Sequence, residues 1–161
     1  MKTTRPKMTP TITWKHYLLS VFMLLVLDFL WIGLYFQYPY AELVKKVQQG
    51  AEMEARVGFA CLAYAEMIIA LLVLVLPRID LTSTATIFKT SFFNGGILGF
   101  CMYGVYASTA AAIFKDFDGL VAMQDTIWGT IVYTLTPFLS CWLLGLCGMN
   151  GEGTDQLQKS Y

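Results

Sequence analysis

Long uninterrupted apolar stretches alternate with short polar segments along this sequence. A helix rises about 1.5 Å per residue, so about 20 predominantly apolar residues are needed to cross the hydrocarbon core of a bilayer. Four stretches reach that length, at residues 17–36, 57–76, 90–114 and 127–146. Runs such as MIIALLVLVL are apolar on every side, whereas membrane-spanning β-strands alternate apolar and polar positions. The pattern therefore predicts four transmembrane helices.

The segments that connect these stretches are short, which predicts that consecutive helices run in opposite directions, as in an up-down four-helix bundle. After the first span, Tyr40, Leu43, Val44 and Val47 recur at helical spacing, with charged and amide side chains between them. This amphipathic pattern predicts a short helix lying at the membrane interface after the first span. The expected fold class is an all-α, polytopic membrane protein.

The composition agrees with a membrane protein. Of 161 residues, 57% are hydrophobic and only 14% are charged, whereas charged residues make up about a quarter of an ordinary soluble domain. We expect one four-helix domain at residues 17–147, a basic tail at residues 1–16 and a polar tail at residues 148–161. The formal net charge is zero, so no overall basic charge predicts binding to nucleic acid.

The basic residues divide unevenly between the two ends of the predicted bundle. If both termini lie on one side of the membrane, that side carries seven basic residues and the opposite side carries four. The seven are Lys2, Arg5, Lys7, Lys15, Arg78, Lys89 and Lys159, and the four are Lys45, Lys46, Arg56 and Lys115. The positive-inside rule then predicts that both termini face the cytoplasm or its topological equivalent.

Two carboxyl side chains, Asp28 and Glu66, lie inside predicted spans. A carboxylate near the middle of a bilayer costs a few kcal/mol, and no Lys or Arg lies within the spans to neutralise it. We expect both side chains to face the interior of the bundle. There they are protonated, accept hydrogen bonds from Tyr, Thr or Trp donors, share a proton with each other, or hold a cation.

The third span contains rows of small residues that predict close helix packing. Gly95 and Gly99 form a G-x-x-x-G motif, and Tyr103 continues the same face. Gly104 belongs to a second row of small residues. At the start of this span, Asn94 is expected to form a hydrogen bond across to a neighbouring helix.

Asp125 lies near the start of the fourth span, and two roles remain open for it. An acid in the first helical turn complements the positive end of the helix dipole. Asp125 also shares a helix face with Gly129. In the alternative role, that face is directed into the bundle and Asp125 is part of a polar site. Trp128 fits the aromatic belt at the membrane interface. Pro137 is expected to kink the helix and free a carbonyl group.

Three segments together resemble a family of small four-helix membrane proteins of unknown function that is common in bacteria. They are DFLWIG at residues 28–33, FNGGILGFCMYGVY at residues 93–106 and DTIWGT at residues 125–130. The resemblance covers the chain from about residue 17 to 144, and it implies an architecture without an activity. In that family an acid and, three residues later, an asparagine usually follow the Y-G-x-Y segment. Ala107 and Ala110 stand at those positions here, which implies a weakened or repurposed polar centre.

The candidate polar centre combines the acids, the amide and the aromatic side chains of the spans. Its members are Asp28, Trp31, Glu66, Asn94, Tyr103, Tyr106, Asp125 and Trp128. The helix-packing residues are Gly95, Gly99, Gly104 and Gly129. His16 is the only histidine, which excludes His-rich metal sites and Ser-His catalysis within this chain. We predict no metal site and no cofactor.

Two functions remain open from the sequence. The favoured one is a non-enzymatic accessory or structural subunit that packs against lipid, other membrane proteins or copies of itself through its small-residue face. The alternative is a membrane-embedded enzyme or carrier for a lipid-soluble or small ionic substrate. In that alternative, Asp28 and Glu66 handle protons, because a buried carboxyl without a cationic partner has the raised pKa that proton transfer at neutral pH requires.

Overall fold

The structure of the protein, a computed structural model, describes residues 10–148. Four helices in this part of the chain are long and apolar enough to cross a membrane. They are α1 (Trp14–Val47), α2 (Val57–Arg78), α3 (Thr84–Ile113) and α4 (Gly119–Leu146). The predicted all-α fold with four spanning helices is confirmed. Of the two predicted tails, residues 1–9 and 149–161 lie outside the described residues.

The bundle has an apolar surface and several polar side chains inside. Large hydrophobic side chains are exposed on every helix, for example Phe22, Leu34, Val73, Phe100 and Ile127. The buried polar side chains are His16, Ser20, Asp28, Ser91, Thr134, Thr136 and Ser140. Water would penalise so much exposed apolar surface, whereas lipid solvates it. The distribution therefore fits a bundle that is surrounded by acyl chains.

Helix α1 continues through the segment that was predicted to form a separate interfacial helix. Pro39 has no N–H group, and its ring crowds the carbonyl group of Tyr35, four residues earlier. Tyr35 belongs to a π-helical turn, Ile32–Phe36, which widens the helix where the proline ring needs space. The helix then runs on to Val47. The segment predicted to be a short helix is therefore helical at Gln37–Val47, and it continues directly from the first span.

Helix α4 begins earlier than the predicted span. Its N-cap is Asp118, whose carboxylate accepts a hydrogen bond of 2.8 Å from the backbone N–H of Leu120. Asp125 is therefore the seventh residue of the helix, beyond the first turn in which N–H groups lack partners. The predicted first-turn role of Asp125 is wrong, because Asp118 takes that role.

Helices α3 and α4 pack in antiparallel directions with their backbones in contact. A Cβ atom on Gly95 would overlap the carbonyl oxygen of Tyr133, and one on Gly99 would overlap the carbonyl oxygen of Gly129. Pro137 lies inside α4 and cannot donate to the Tyr133 carbonyl as other residues would. The freed carbonyl group is therefore covered by the closest approach of α3, which only glycine permits at this position.

Helix α2 is packed unevenly along its length. We call the end of the bundle with Trp14 and Leu146 the terminal end, and the opposite end the distal end. Near the terminal end, Leu71, Val75 and Leu76 are fully buried and join the main apolar core. In the distal part of α2, Val57–Ile69, no residue is buried. The apolar core thus fills the terminal half, and the polar side chains described next lie toward the distal end.

Candidate functional site

The carboxylate of Asp28 joins all four helices. Asp28 lies on α1 and is only 4% exposed. Its Oδ1 atom accepts a hydrogen bond of 2.9 Å from the indole N–H of Trp128 on α4. Its Oδ2 atom accepts one of 2.8 Å from the hydroxyl group of Tyr64 on α2. The hydroxyl group of Tyr103 on α3 adds a longer bond of 3.5 Å to Oδ1. Three donors from three helices therefore satisfy one buried acid.

Close packing and ring stacking position these donors. The ring of Tyr103 lies against Gly129, where a Cβ atom would overlap it. The ring of Trp128 stacks on that of Trp31 with 4.6 Å between centroids and 6° between planes. Trp31 also stacks on Phe36, with centroids 5.8 Å apart. The indole N–H of Trp31 is buried and has no hydrogen-bond partner among the described residues, so packing against neighbouring rings and apolar side chains positions this ring.

A cavity of about 300 Å³ lies beside Asp28, toward the distal end. It is lined by Asp28, Trp31, Ile32, Phe36, Tyr40, Met53, Tyr103, Tyr106, Asp125 and Trp128. Most of the lining side chains are aromatic, and the two acidic ones are Asp28 and Asp125. None of these lining residues is a Lys, Arg or His.

Asp125 is the acidic side chain of the cavity that forms no hydrogen bond within the described residues, and it is only partly buried. It lies on α4 one turn before Trp128, so both side chains face the cavity from the same helix. Within residues 10–148, no side chain or backbone group forms a hydrogen bond with the Asp125 carboxyl. The contrast with Asp28 is sharp, because both oxygen atoms of Asp28 have donors.

Two tyrosines and a methionine form the distal rim of the cavity. The hydroxyl groups of Tyr40 and Tyr106 are 2.9 Å apart and form a hydrogen bond between α1 and α3. Met53 belongs to the connection between α1 and α2 and is 43% exposed. The rim therefore lies where α1 leaves the bundle and α2 enters it.

Six residues of the predicted polar centre line this one cavity: Asp28, Trp31, Tyr103, Tyr106, Asp125 and Trp128. Ala107 and Ala110, which replace the polar residues implied by the resemblance, are buried in the same part of α3. No group of three or more His, Cys, Asp or Glu side chains that could hold a metal ion occurs within residues 10–148.

Glu66 does not join this centre, and the expectation that it faces the interior is wrong. Its side chain is exposed on the surface of α2. The side of α2 that faces the bundle carries Tyr64, Met67 and Leu71, which contact Asp28, Tyr103 and the apolar core. Helical geometry turns Glu66 away from that row by at least 100°.

Asn94 also lies outside the centre. Its side-chain amide donates a hydrogen bond of 2.8 Å to the backbone carbonyl of Thr90, one turn earlier in α3. The expected bond to another helix is thus replaced by a bond within α3. The backbone carbonyl is nearer, and Ser91–Gly96 forms a π-helical segment in which such carbonyl groups are less regularly paired.

The sequence interpretation missed Tyr64 and Tyr40. The signal for Tyr64 was present, because Tyr64, Met67, Leu71 and Val75 recur at the spacing of one helix face. Tyr40 belongs to the amphipathic pattern that predicts a helix at the membrane interface, and that pattern does not indicate the rim of a cavity. Recognising either position requires knowing which neighbouring helix carries the complementary polar group.

Comparison with known proteins agrees with this architecture. No curated protein and no solved structure is significantly similar to this chain. Residues 13–142 match one protein family, and this match spans all three segments on which the resemblance was based. The chain therefore belongs to the family described as "Predicted membrane protein (DUF2177)".

Proposed function

We propose that the protein is a membrane-embedded binding protein or carrier whose small ligand occupies the cavity between Asp28 and Asp125. One observation carries the proposal: the Asp125 carboxyl lines a cavity and has no hydrogen-bond partner within the described residues. Asp125 is only partly buried, so its carboxyl oxygen atoms are not enclosed by the protein and remain accessible to a ligand in the cavity.

The two aspartates have different roles in this proposal. The oxygen atoms of Asp28 are occupied by Trp128 and Tyr64, so Asp28 fixes the positions of the helices around the cavity. Asp125 offers its oxygen atoms to the ligand. This division favours binding or carriage over proton transfer by Asp28. Glu66 is exposed on α2 and is not a partner of Asp28 in the site.

In this proposal both termini lie on the cytoplasmic side of the membrane, which the distribution of basic residues supports. The cavity then lies toward the opposite, non-cytoplasmic face. A ligand would reach it from that side or from the outer lipid leaflet.

The ligand that accompanies the protein through purification tests this proposal. Wild-type protein purified in a mild detergent is expected to carry a small molecule in near-stoichiometric amount, measured by solvent extraction and mass spectrometry. Asp125→Leu removes the carboxyl and fills part of the cavity, and we expect it to reduce the bound molecule by about tenfold or more, since each 1.4 kcal/mol of lost binding is a factor of ten.

Glu66→Leu is the matched control, because it makes a similar change on the outer surface of α2 and is expected to leave the bound amount unchanged. If no small molecule is enriched with the wild-type protein, or if Asp125→Leu retains it fully, the binding function is contradicted.

The exposed position of Glu66 favours a second candidate function, that of a subunit in a membrane assembly. A carboxyl group in the middle of a spanning helix is costly in lipid, and no residue of Val57–Ile69 is buried. A helix of another chain packed on this surface would shield the Glu66 carboxyl group from lipid and bury residues of Val57–Ile69. Gly95 and Gly99 are not available for this contact, because they pack against α4. The interface in this candidate is therefore the distal part of α2 and not the small-residue face of α3.

Native mass measurement in detergent tests the second candidate. Wild-type protein is expected to have a mass larger than one chain, and Glu66→Leu, which removes the need for shielding, is expected to shift the population toward the mass of one chain. A wild-type protein that is monodisperse at the mass of one chain, without bound protein, contradicts this candidate and leaves the ligand cavity unaffected.

A further inference from the structure

We infer that the ligand of this cavity is an organic cation whose charged part is a methyl-substituted ammonium group. This inference rests on the proposed binding function and adds the chemical class of the ligand. It follows from three properties of the cavity wall: its charge, its aromatic surfaces and its size.

The charge of the wall selects a cation. The carboxyl groups of Asp28 and Asp125 both line the cavity, and no basic side chain is among its lining residues. An anion would be repelled in this environment of low dielectric constant. A neutral ligand without a hydrogen-bond donor would displace water from the partly buried Asp125 carboxyl without replacing its hydrogen bonds. A positively charged ligand supplies the partner that Asp125 lacks.

The aromatic side chains select an alkylated ammonium over an inorganic ion. Trp31, Trp128, Tyr40, Tyr103 and Tyr106 line the cavity, and the stacking of Trp31 on Trp128 covers one face of each of these two rings. The face of an aromatic ring attracts a cation, and cages of Trp and Tyr are the usual recognition sites for quaternary ammonium groups. Metal cations instead require several oxygen, nitrogen or sulfur ligands around them, and the described residues contain no such group of His, Cys, Asp or Glu.

The size of the cavity suits a headgroup-sized cation. Its volume of about 300 Å³ lies at the lower end of the range for ligand sites, about 300–1,000 Å³. Ile32 lines the cavity and is 42% exposed on the apolar surface of α1. The same ammonium group is therefore able to come from a free cation or from the headgroup of a lipid in the surrounding bilayer.

Choline and its neutral isostere 3,3-dimethylbutan-1-ol test the inference directly. They have nearly the same shape and differ in the charge of one atom. Titration of full-length protein, purified in detergent and followed by calorimetry and tryptophan fluorescence, is expected to give binding of choline that is about tenfold or more tighter than that of the isostere. Asp125→Asn is expected to weaken choline binding about tenfold, whereas Glu66→Gln is expected to leave it unchanged.

The membrane composition distinguishes the two sources of the ammonium group. In nanodiscs of phosphatidylcholine, a lipid headgroup that occupies the cavity is expected to compete with choline and weaken its apparent affinity relative to nanodiscs of phosphatidylglycerol. Equal affinities in the two lipids indicate a free cation as the ligand, and both results agree with an ammonium site.

Equal binding of choline and the isostere, absence of choline binding in phosphatidylglycerol nanodiscs, or full choline binding by Asp125→Asn would overturn the ammonium assignment. Failure here is separable from failure of the proposed function. If a non-cationic molecule still accompanies wild-type protein and is lost from Asp125→Leu, the binding function holds and only the ligand class is wrong.

Discussion

Asp28→Leu is expected to lower the free energy of unfolding by about 2–4 kcal/mol. The change removes the acceptor of two short hydrogen bonds, from Trp128 and Tyr64. It leaves both donors without partners in a partly buried site, and an unsatisfied donor costs about 1–3 kcal/mol when it is fully buried. Part of this loss is offset, because leucine does not carry the desolvation cost of a buried carboxylate. The net effect remains large because one residue connects four helices.

The measurement is the midpoint and slope of unfolding in mixed micelles, followed by circular dichroism and tryptophan fluorescence. Asp28→Asn keeps one carbonyl oxygen as an acceptor and is expected to lose about half as much stability. Glu66→Leu is the control, since Glu66 is exposed and forms none of these bonds. If Asp28→Leu unfolds at the same denaturant concentration as the wild type, the carboxylate does not hold the helices together.

Gly99→Ala is expected to destabilise the bundle by about 3 kcal/mol or more, although it adds only one methyl group. The new Cβ atom would overlap the backbone carbonyl of Gly129, and a backbone atom in the middle of a helix cannot rotate away. The two helices must therefore move apart, which also separates Tyr103 from Gly129 and lengthens its bond to Asp28.

Two other glycines provide a graded comparison for this prediction. At Gly58, in the distal part of α2, an added Cβ atom would meet no other atom within 4 Å. Gly58→Ala is expected to be neutral or stabilising by up to about 1 kcal/mol, because alanine favours a helix over glycine. At Gly104 the nearest atom, the Cγ2 atom of Thr126, would lie at 3.2 Å, so Gly104→Ala is expected to have a small effect. Equal unfolding midpoints for Gly99→Ala and Gly58→Ala would show that α3 and α4 do not pack as described.

The number and type of the helices were predictable from the sequence, because the length of an apolar run depends only on the thickness of the bilayer. The inward direction of Asp28 was predicted because a carboxylate that faces lipid is costly, and the structure buries this side chain. These features follow from one chain segment and its solvent.

The direction of Glu66 was not predictable by that argument, because it depends on which side of α2 meets the other helices. Tyr64 and Met67 decide that orientation through contacts with residues far away in the sequence. The predicted first-turn role of Asp125 is wrong for a similar reason. Helix α4 begins at Gly119, after its N-cap Asp118, so Asp125 lies inside the helix and lines the cavity. A cavity forms between several helices, so the sequence of one helix is not enough to predict its position.

The backbone contact between α3 and α4 determines which walls of the cavity are able to move. Tyr103, Tyr106, Asp125 and Trp128 belong to this pair of helices, whose backbones are in contact at Gly95, Gly99 and Gly129. In the distal part of α2, Val57–Ile69, no residue is buried. Hydrogen bonds connect this segment to the other helices, from Tyr64 to Asp28 and from Tyr103 and Tyr133 to Met67. We therefore expect the distal part of α2 to move relative to α3 and α4, which stay in contact. Such a movement would require breaking the hydrogen bond between Tyr64 and Asp28.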